Sequence, residues 1–506
     1  MTMTPTPATA ATPADAQADP GAVHVDVLIV GAGLSGIGAA HHLQDELPGK
    51  TYTILESRDA IGGTWDLFRY PGVRSDSDMQ TLGYRFRPWT QPKAIADGPS
   101  ILEYIRETAA EAGIDKHIRF GHRAVGASWS SAEALWTVEA TKGEDAEPVR
   151  FTCNFLLICS GYYRYDQGYT PTFEGIERFG GQIVHPQHWP EDLDYAGKRV
   201  VVIGSGATAV TLVPSMADQA AHVTMLQRSP SYIMSLPSQD PITNRLRAVL
   251  GNRASYPLAR WKNVLLATLV YRLSQRRPEL VKGVIKRDQK RRLPAGYDID
   301  THFTPTYKPW DQRMCLVPDG DLFKAISDEK VSVVTDRIST FTETGLELES
   351  GTRIDADIVV TATGLNILLI GGMHLAVDGR EVVPQETLAY KGMMLSGVPN
   401  FAFCVGYTNA SWTLKADLVS EYVCRLLKSM ETRGYRQCVP VNSDPDMETR
   451  PLLDFAAGYV LRSVDQLPKS GPKAPWRLGM NYAHDLVTLR HGRIQDGVMQ
   501  FSSPRR

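Results

Sequence analysis

The first apolar run of the chain is continuous rather than alternating. Residues 25–30 read VDVLIV, and a glycine-rich turn follows in which Gly31, Gly33 and Gly36 have the spacing G-x-G-x-x-G. The stretch after this turn has the pattern of a helix, and a second apolar run, TYTILES, brings Glu56 to a position twenty residues after Gly36. Continuous apolar runs of this length are typical of buried strands, so the pattern predicts a strand, a turn, a helix and a second strand.

This arrangement is typical of a dinucleotide site. The glycines permit a tight turn and let a pyrophosphate approach the N-terminus of the helix, while the acid accepts hydrogen bonds from ribose hydroxyls. A G-x-G-x-x-G alone can be merely a tight turn between a strand and a helix. The strand, the helix and the placed carboxylate of Glu56 together favour the nucleotide site.

A second copy of the pattern lies near the middle of the chain. The run KRVVVIGSGATAV contains Gly204, Gly206 and Ala209 in the variant G-x-G-x-x-A, and the strand that follows ends in Gln227, Arg228 and Ser229 instead of an acid. A guanidinium in place of the carboxylate suits a 2′-phosphate, so this site is predicted to prefer NADPH over NADH, with Ser229 beside it. The alternative is that Arg228 is a solvated arginine at the end of a strand.

The two glycine-rich turns predict an α/β protein with two Rossmann-like dinucleotide-binding domains, for FAD and then NADPH, and a helical insertion in the NADPH domain. Two further apolar runs, residues 155–163 and 355–366, are predicted to link the domains and to close on the sheet that binds FAD. The predicted division is a disordered tail at 1–22, an FAD domain at 23–165 and 356–506, an NADPH domain at 166–235 and 301–355, and the insertion at 236–300.

The insertion contains the basic tract KGVIKRDQKRRLPAGYD, which is interpreted as a solvated helix face, with a role at a membrane surface as the alternative. Residues 261–273, WKNVLLATLVYRL, are predicted to form a partly buried helix because they are too short to span a bilayer, which needs about 20 apolar residues. No transmembrane segment is therefore predicted.

Composition narrows the class of protein further. With 506 residues, several domains are expected. The formal net charge of −2 gives no electrostatic reason to expect nucleic acid. The six cysteines are scattered, which argues against a disulfide framework and against a metal site. The N-terminal 22 residues lack the basic and apolar features of a secretory or organelle signal, so a cytoplasmic location is expected. The pattern predicts no particular oligomeric state.

Two longer motifs resemble a known family. GGTWDLFRYPGVRSD and FGGQIVHPQHWP match the two fingerprints of type I Baeyer–Villiger monooxygenases, and the resemblance extends from residue 23 to about residue 500, closest to the ethionamide-activating, 4-hydroxyacetophenone-type branch. The positions that match the motifs are Gly62, Gly63, Trp65, Tyr70, Pro71, Gly72 and Asp76 in the first fingerprint, and Phe179, Gly181, His185, Trp189 and Pro190 in the second.

The resemblance implies an oxygenation reaction. Hydride passes from NADPH to FAD, and O₂ adds to the reduced flavin as a C4a-peroxyflavin. This species inserts one oxygen atom next to a ketone carbonyl to give an ester or lactone. The implied substrates are a small ketone or sulfur compound and O₂. The alternative within the same class is oxygenation of sulfur or nitrogen in thioethers, thioamides or amines.

The resemblance also assigns roles to individual residues. It implies that Arg313 is the active-site cation, positioned by Asp76, and that His185 lies at a hinge between the nucleotide domains. The alternatives are a structural ion pair and an ordinary surface histidine. Gln312 departs from the family, in which many members have a lysine there, so selectivity for NADPH rests more heavily on Arg228. Trp412 is expected to be a wall of the flavin or substrate pocket, or else an ordinary core aromatic residue.

Two other classes remain as alternatives. A flavin disulfide reductase also has two glycine-rich turns, but it needs a close pair of redox cysteines, which this sequence lacks. An FAD-bound sensor without catalytic activity would keep the turns but would have no need of Arg313 and Asp76.

Overall fold

The structure is a computed structural model that describes residues 22–312, 314–453 and 457–503. The predicted tail at 1–22 lies outside the described residues except for Ala22, and Arg313 lies outside them as well.

The strands are β1 Val23–Val30, β2 Tyr52–Leu55, β3 Ile118–Arg119, β4 His122–Ser130, β5 Leu135–Lys142, β6 Glu147–Ile158, β7 Gln182–Val184, β8 Arg199–Ile203, β9 His222–Gln227, β10 Ile233–Leu236, β11 Cys315–Pro318, β12 Val331–Thr335, β13 Ile338–Thr342, β14 Gly345–Leu348, β15 Arg353–Asp355, β16 Ile358–Thr361, β17 His374–Val377, β18 Arg380–Val382, β19 Ala389–Tyr390, β20 Met394–Leu395, β21 Phe401–Phe403, β22 Gln437–Pro440, β23 Arg450–Pro451, β24 Lys469–Ser470 and β25 Met499–Ser502. The α-helices are α1 Leu34–Glu46, α2 Thr64–Leu67, α3 Met79–Leu82, α4 Gly98–Glu111, α5 Ala207–Met216, α6 Pro241–Arg276, α7 Pro278–Arg292, α8 Ile299–Phe303, α9 Asp321–Ser327, α10 Trp412–Arg433, α11 Gly458–Leu461 and α12 Tyr482–Asp485.

The larger sheet contains the first glycine-rich turn. Its strands follow the order β18-β17-β4-β5-β6-β1-β2-β3, and β21 pairs with β6. The central strand β1 is parallel to both β2 and β6, and all four residues of β2 are buried. Helices α1 and α10 pack against each other beside this sheet. Central strands covered on both faces are continuously apolar, which explains the runs in the sequence.

The second sheet contains the other glycine-rich turn. All its strands are parallel, in the order β12-β9-β8-β16-β7. The prediction that residues 355–366 already return to the first sheet, with a domain boundary between 355 and 356, is wrong because β16 lies between β8 and β7. The chain therefore crosses back after Thr361. An apolar strand is buried equally well in either sheet, so its pattern could not show which sheet it joins.

The helical insertion is attached to both parts of the molecule. Its base is a two-stranded ribbon in which β10 is parallel to β11, and α6 bends at Gly251, where φ is 73°. From α6, the Tyr256 hydroxyl donates a hydrogen bond to the carbonyl of Tyr84 (2.8 Å), and Arg260 donates to the carbonyl of Gly83 (2.7 Å). The insertion thus packs on the segment that precedes α4. This segment is distant in sequence from the insertion and from the second sheet.

A buried ionic cluster joins the insertion to α1 and α10. Asp417 of α10 accepts a hydrogen bond from Arg260 (3.2 Å) and lies 3.5 Å from the ring of His42, which also contacts Glu46. Burial alone would lower the pKa of His42, but its pairing with Asp417 and Glu46 outweighs burial and raises this pKa to about 9. His42 is therefore a protonated side chain in the folded protein at neutral pH.

This shift predicts a loss of stability in alkaline solution. Because the folded pKa of His42 lies above its unfolded value of about 6.5, its contribution to the free energy of unfolding is complete below that pH and disappears as the pH rises through about 9. The contribution has an upper limit of about 3 kcal/mol. Unfolding in denaturant at several pH values should show the wild type losing its advantage over His42→Gln across this range. His24→Gln, at an exposed histidine, is the control; an advantage of wild type over His42→Gln that is constant with pH would contradict the assignment.

Candidate active site

One large cavity lies between the two sheets. Its volume is about 810 Å³, and its walls include Gly31 and Gly33 from the first glycine-rich turn and Gly206 from the second. Small-molecule and cofactor sites typically occupy about 300–1,000 Å³. The fold therefore places both predicted nucleotide turns on a single cavity.

The first turn is tightly closed by backbone contacts. Gly31 has a φ of 104°, and a Cβ atom on it would lie 2.6 Å from the carbonyl oxygen of Cys159. A Cβ atom on Gly36 would lie 1.9 Å from the carbonyl oxygen of Gly31. Both positions therefore require glycine, and Gly33 precedes α1 directly at the wall of the cavity. This geometry fits a pyrophosphate against the start of a helix.

Glu56 comes directly after β2 and lines the cavity. It is buried, and its carboxylate accepts hydrogen bonds from the backbone N–H groups of Ala32 (2.8 Å) and Arg58 (2.9 Å). Burial raises the pKa of Glu56, although these hydrogen bonds oppose the shift. Each carboxylate oxygen has a second lone pair, so the group can still accept from a ribose hydroxyl.

Arg58 is a cavity residue that the sequence analysis did not identify. Its guanidinium donates to the buried carboxylate of Asp66 at 2.6 Å, and its Nε is buried with no hydrogen-bond partner among the described residues. A buried donor without a partner is unfavourable, so a bound ligand that accepts from it would fit this wall. The signal in the sequence that could have identified Arg58 is its position two residues after Glu56, the predicted nucleotide-binding acid.

The first fingerprint folds around this wall. Gly63 has a φ of 56°, and a Cβ atom on it would lie 3.1 Å from the Cα of Gly33, so the fingerprint contacts the nucleotide turn directly. Trp65 lines the cavity nearby. Tyr165 is also at the wall, with its hydroxyl 3.1 Å from that of Thr64, and the sequence analysis did not predict it.

Trp412 lies where the first turn meets α10. Its indole N–H donates to the hydroxyl of Ser35 at 2.7 Å, and its ring stacks on Tyr162 with centroids 5.1 Å apart. Both aromatic side chains line the cavity. Trp412 therefore forms part of the wall and also packs against the cores of the first sheet.

In the second turn, the first glycine is again enclosed by backbone atoms, but the second glycine faces open space. A Cβ atom on Gly204, whose φ is 140°, would lie 2.4 Å from the carbonyl oxygen of Ala362, whereas a Cβ on Gly206 would meet open space. Ala209 is completely buried. Arg228 is exposed just after β9, and the carbonyl of Ser229 accepts from the hydroxyl of Ser205 at 3.0 Å, which fastens this segment to the turn.

The structure describes the sequence neighbours of the predicted cation and its predicted partner, but not the cation itself. Asp76 lines the cavity, as do Gln312 and Leu316, which flank Arg313 in sequence. Arg313 itself lies outside the described residues, so its role and its pairing with Asp76 stay predictions.

His185 lies between the two connections that cross from one sheet to the other. Its Nε2 is 3.2 Å from the carbonyl oxygen of Gly364, and a Cβ atom on Gly168 would fall within 2.0 Å of its ring. Burial lowers the pKa of His185, although hydrogen bonds with the carbonyls of Gly364 and Tyr169 oppose this shift. The ring thus contacts both crossing segments.

The other members of the second fingerprint have packing roles. Phe179 packs edge-on against Phe341, with ring centroids 6.0 Å apart, and Trp189 packs on the core of the second sheet. A Cβ atom on Gly181 would lie 2.4 Å from the carbonyl oxygen of Asp357, so a side chain there would displace β7. None of these three residues is among the cavity walls.

Comparison with known proteins agrees with this geometry. The chain matches the flavin-binding monooxygenase-like family over residues 90–371 and an NAD(P)-binding Rossmann-like domain over residues 29–91. The chain belongs to the flavin-binding monooxygenase-like family. It is 57% identical over 480 residues to the FAD-containing monooxygenase EthA of Mycobacterium tuberculosis, covering 95% of this chain and 98% of that protein. It is 48% identical over 482 residues to the probable FAD-binding monooxygenase AlmA of Acinetobacter baylyi, covering 94% and 96%.

A solved structure shows the same fold. A steroid monooxygenase bound to NADP superposes with a TM-score of 0.76 at 22% identity, covering 95% of this chain and 99% of that one. The predicted resemblance and the α/β fold with Rossmann-like domains are confirmed. The predicted cofactor pair of FAD and NADP(H) is confirmed for this flavin-dependent monooxygenase by its match to a flavin-binding and an NAD(P)-binding family and by its similarity to FAD-containing relatives.

No group of three or more His, Cys, Asp or Glu side chains is placed to hold a metal ion in residues 22–312, 314–453 and 457–503. Over the same residues, no helix has the length and apolar character needed to cross a membrane.

Proposed function

We propose that the protein uses NADPH and O₂ to insert one oxygen atom next to the carbonyl of a ketone, giving an ester or lactone. The observation that supports this proposal is the single cavity between the two glycine-rich turns. Because both turns open onto it, the residues of the first turn would hold FAD and those of the second turn would hold NADPH at the same cavity. The flavin, when bound, accepts hydride and activates oxygen.

The chain's own residues bind and orient the reactants. The turn at Gly31 and Gly33 would hold the FAD pyrophosphate, with Glu56 and Arg58 on the ribose side. The turn at Gly204 and Gly206, together with Arg228 and Ser229, would hold NADPH. Trp412 and Tyr162 would form an apolar wall that excludes water from the reaction.

The test is to identify products from purified, flavin-loaded protein supplied with NADPH and oxygen. Linear, aryl and cyclic ketones are compared with a thioether. Esters or lactones, with NADPH consumed in proportion, support the proposal. Sulfoxide without ester would establish the alternative of heteroatom oxygenation, and no substrate-stimulated NADPH oxidation would point to the sensor.

Arg228 is proposed to read the 2′-phosphate of NADPH. Arg228→Ala should raise KM for NADPH by roughly ten-fold or more while changing KM for NADH little, because a hydrogen bond to a charged group contributes about 1.5–3 kcal/mol. Steady-state kinetics with both coenzymes measures this. Arg353→Ala, at an exposed arginine of β15, is the matched control. Equal increases for the two coenzymes would return Arg228 to the role of a solvated arginine.

His185 is proposed as a hinge residue because its ring contacts both crossing segments. His185→Ala should retain FAD but change NADPH affinity and slow oxygenation, since the segments at Gly168 and Gly364 would lose their common contact. Flavin content, NADPH titration and turnover are measured on one preparation. Loss of FAD would instead make this motif an element of the flavin site.

A further inference from the structure

The outer face of α6 is a continuous apolar stripe. After the bend at Gly251, large apolar side chains recur at intervals of three and four residues, so they lie on one face of the helix. The stripe consists of Leu258 (53% exposed), Trp261 (42%), Leu265 (64%), Leu266 (56%) and Leu269 (62%).

The opposite face of the same helix is firmly packed. Val264 is buried against Tyr407 and Leu414 in a separate apolar cluster, and Arg260 is buried in the ionic cluster with Asp417. The helix is therefore held in place by its inner face, and the stripe faces outward as a fixed surface. Tyr407 also lines the cavity, so the inner face of α6 contacts a side chain of the cavity wall.

Positive charge is concentrated on the same two helices. Residues 241–292, which form α6 and α7, contain fourteen lysines and arginines and two acidic residues, a net charge of +12 in a chain whose net charge is −2. Arg272 and Arg276 are exposed on the turns of α6 that follow the stripe, and Arg277 is exposed next to them.

The acids of α7 do not neutralise these arginines. Glu279 pairs with Lys282, and Asp288 pairs with Arg291 and Arg292. Arg272, Arg276 and Arg277 form no ion pair with any residue that the structure describes, so within this part of the chain their charges are available to an external anionic partner. On α7 itself, Leu280 and Val284 are exposed as well.

We propose that this face of α6, the apolar stripe with its basic end at residues 272–277, docks onto the surface of an anionic lipid bilayer. An interfacial helix has an apolar face that enters the boundary of the acyl chains and basic residues that meet the headgroups. Trp261 lies within the stripe, and tryptophan is enriched at membrane interfaces. The helix lies on the membrane and does not cross it.

Charge and polarity disfavour two other partners. A second copy of this face would bring one strongly positive surface against another, which costs free energy. A nucleic acid is bound through phosphate contacts and stacked bases, and a row of exposed leucines offers neither. The combination of an apolar stripe and unneutralised arginines is complementary to a layer of anionic lipid.

The test uses full-length, flavin-loaded protein and sedimentation with vesicles. Binding to phosphatidylcholine vesicles that contain about 30% phosphatidylglycerol should be at least ten-fold stronger than binding to pure phosphatidylcholine, and it should weaken as salt is added. Equal binding to both vesicles, or none to either, would overturn the proposal.

Variants separate the apolar and the charged parts of the surface. Leu265→Ser with Leu269→Ser should weaken binding to the anionic vesicles by at least about ten-fold. Arg272→Gln, Arg276→Gln and Arg277→Gln together should weaken it by about 100-fold, since each basic residue near such a surface contributes about five-fold. The control replaces two other exposed apolar residues, Leu461→Ser and Val487→Ser, which are 57% and 61% exposed.

Flavin content and melting temperature show that each variant remains folded. The proposal would be contradicted if the leucine variant and the arginine variant both bound vesicles as strongly as the wild type and the control. A dimer in sedimentation velocity that only the leucine variant abolishes would assign the stripe to a second copy. Tighter binding to a DNA duplex than to vesicles at the same salt would assign the surface to nucleic acid.

Discussion

Arg313→Ala is expected to keep its FAD and to oxidise NADPH, but to form ester at a rate lower by about 10² to 10³-fold, because a single preorganised group that stabilises developing charge contributes on this scale. An arginine remains protonated at working pH and is therefore a fixed cation. The resemblance assigns this cation to Arg313, and the structure places Asp76, Gln312 and Leu316 on the wall of the cavity between the two sheets.

Product analysis decides between the two interpretations of Arg313. The variant should release hydrogen peroxide in place of ester while NADPH is consumed. Lys308→Ala, which removes a positive charge from an exposed position five residues earlier, should behave as the wild type. Ester formation near the wild-type rate would show that Arg313 has only a structural role.

Asp76 provides a second measurement of the same site. If its carboxylate positions Arg313, the effects of Asp76→Asn and Arg313→Ala on ester formation should not add in the double variant, because residues that act together show an interaction energy. Additive effects would mean that Asp76 acts independently of the cation.

Local patterns in the sequence were sufficient for the nucleotide turns. At Gly31 and Gly204, the structure shows the backbone contacts that exclude a side chain, and Glu56 comes directly after its strand, which ends one residue earlier than predicted. These features depend on residues close together in sequence. The position of β16 was predicted incorrectly because its apolar pattern satisfies either sheet, and the pairing with β7 and β8 is decided by long-range contacts.

Contacts between distant segments explain features that the sequence analysis missed, one in the packing of the insertion and one at the site. Arg260 meets Asp417 across 157 positions, and Thr64 meets Tyr165 across 101. No spacing rule joins such residues. His185 was predicted from its motif, but only the folded chain shows that its ring lies against both Gly168 and Gly364.

Gly36→Ala is expected to abolish FAD binding. The added methyl group would lie 1.9 Å from the carbonyl oxygen of Gly31, which belongs to the backbone of the same turn, so the turn must open to accommodate it. An open turn would move Gly31 and Gly33 away from the pyrophosphate and so remove the close approach on which binding at a helix N-terminus depends.

The measurement for Gly36→Ala is the ratio of flavin to protein absorbance after purification, followed by titration with added FAD. The second turn supplies the control because Ala209 occupies the equivalent position there, and Ala209→Gly should retain flavin at the wild-type ratio. Circular dichroism must show that Gly36→Ala still contains its secondary structure. The remainder of the first sheet does not depend on this contact, so the variant should be folded and colourless. A folded, yellow Gly36→Ala protein would show that the turn yields without cost, and the FAD site would then have to be assigned to another part of the cavity.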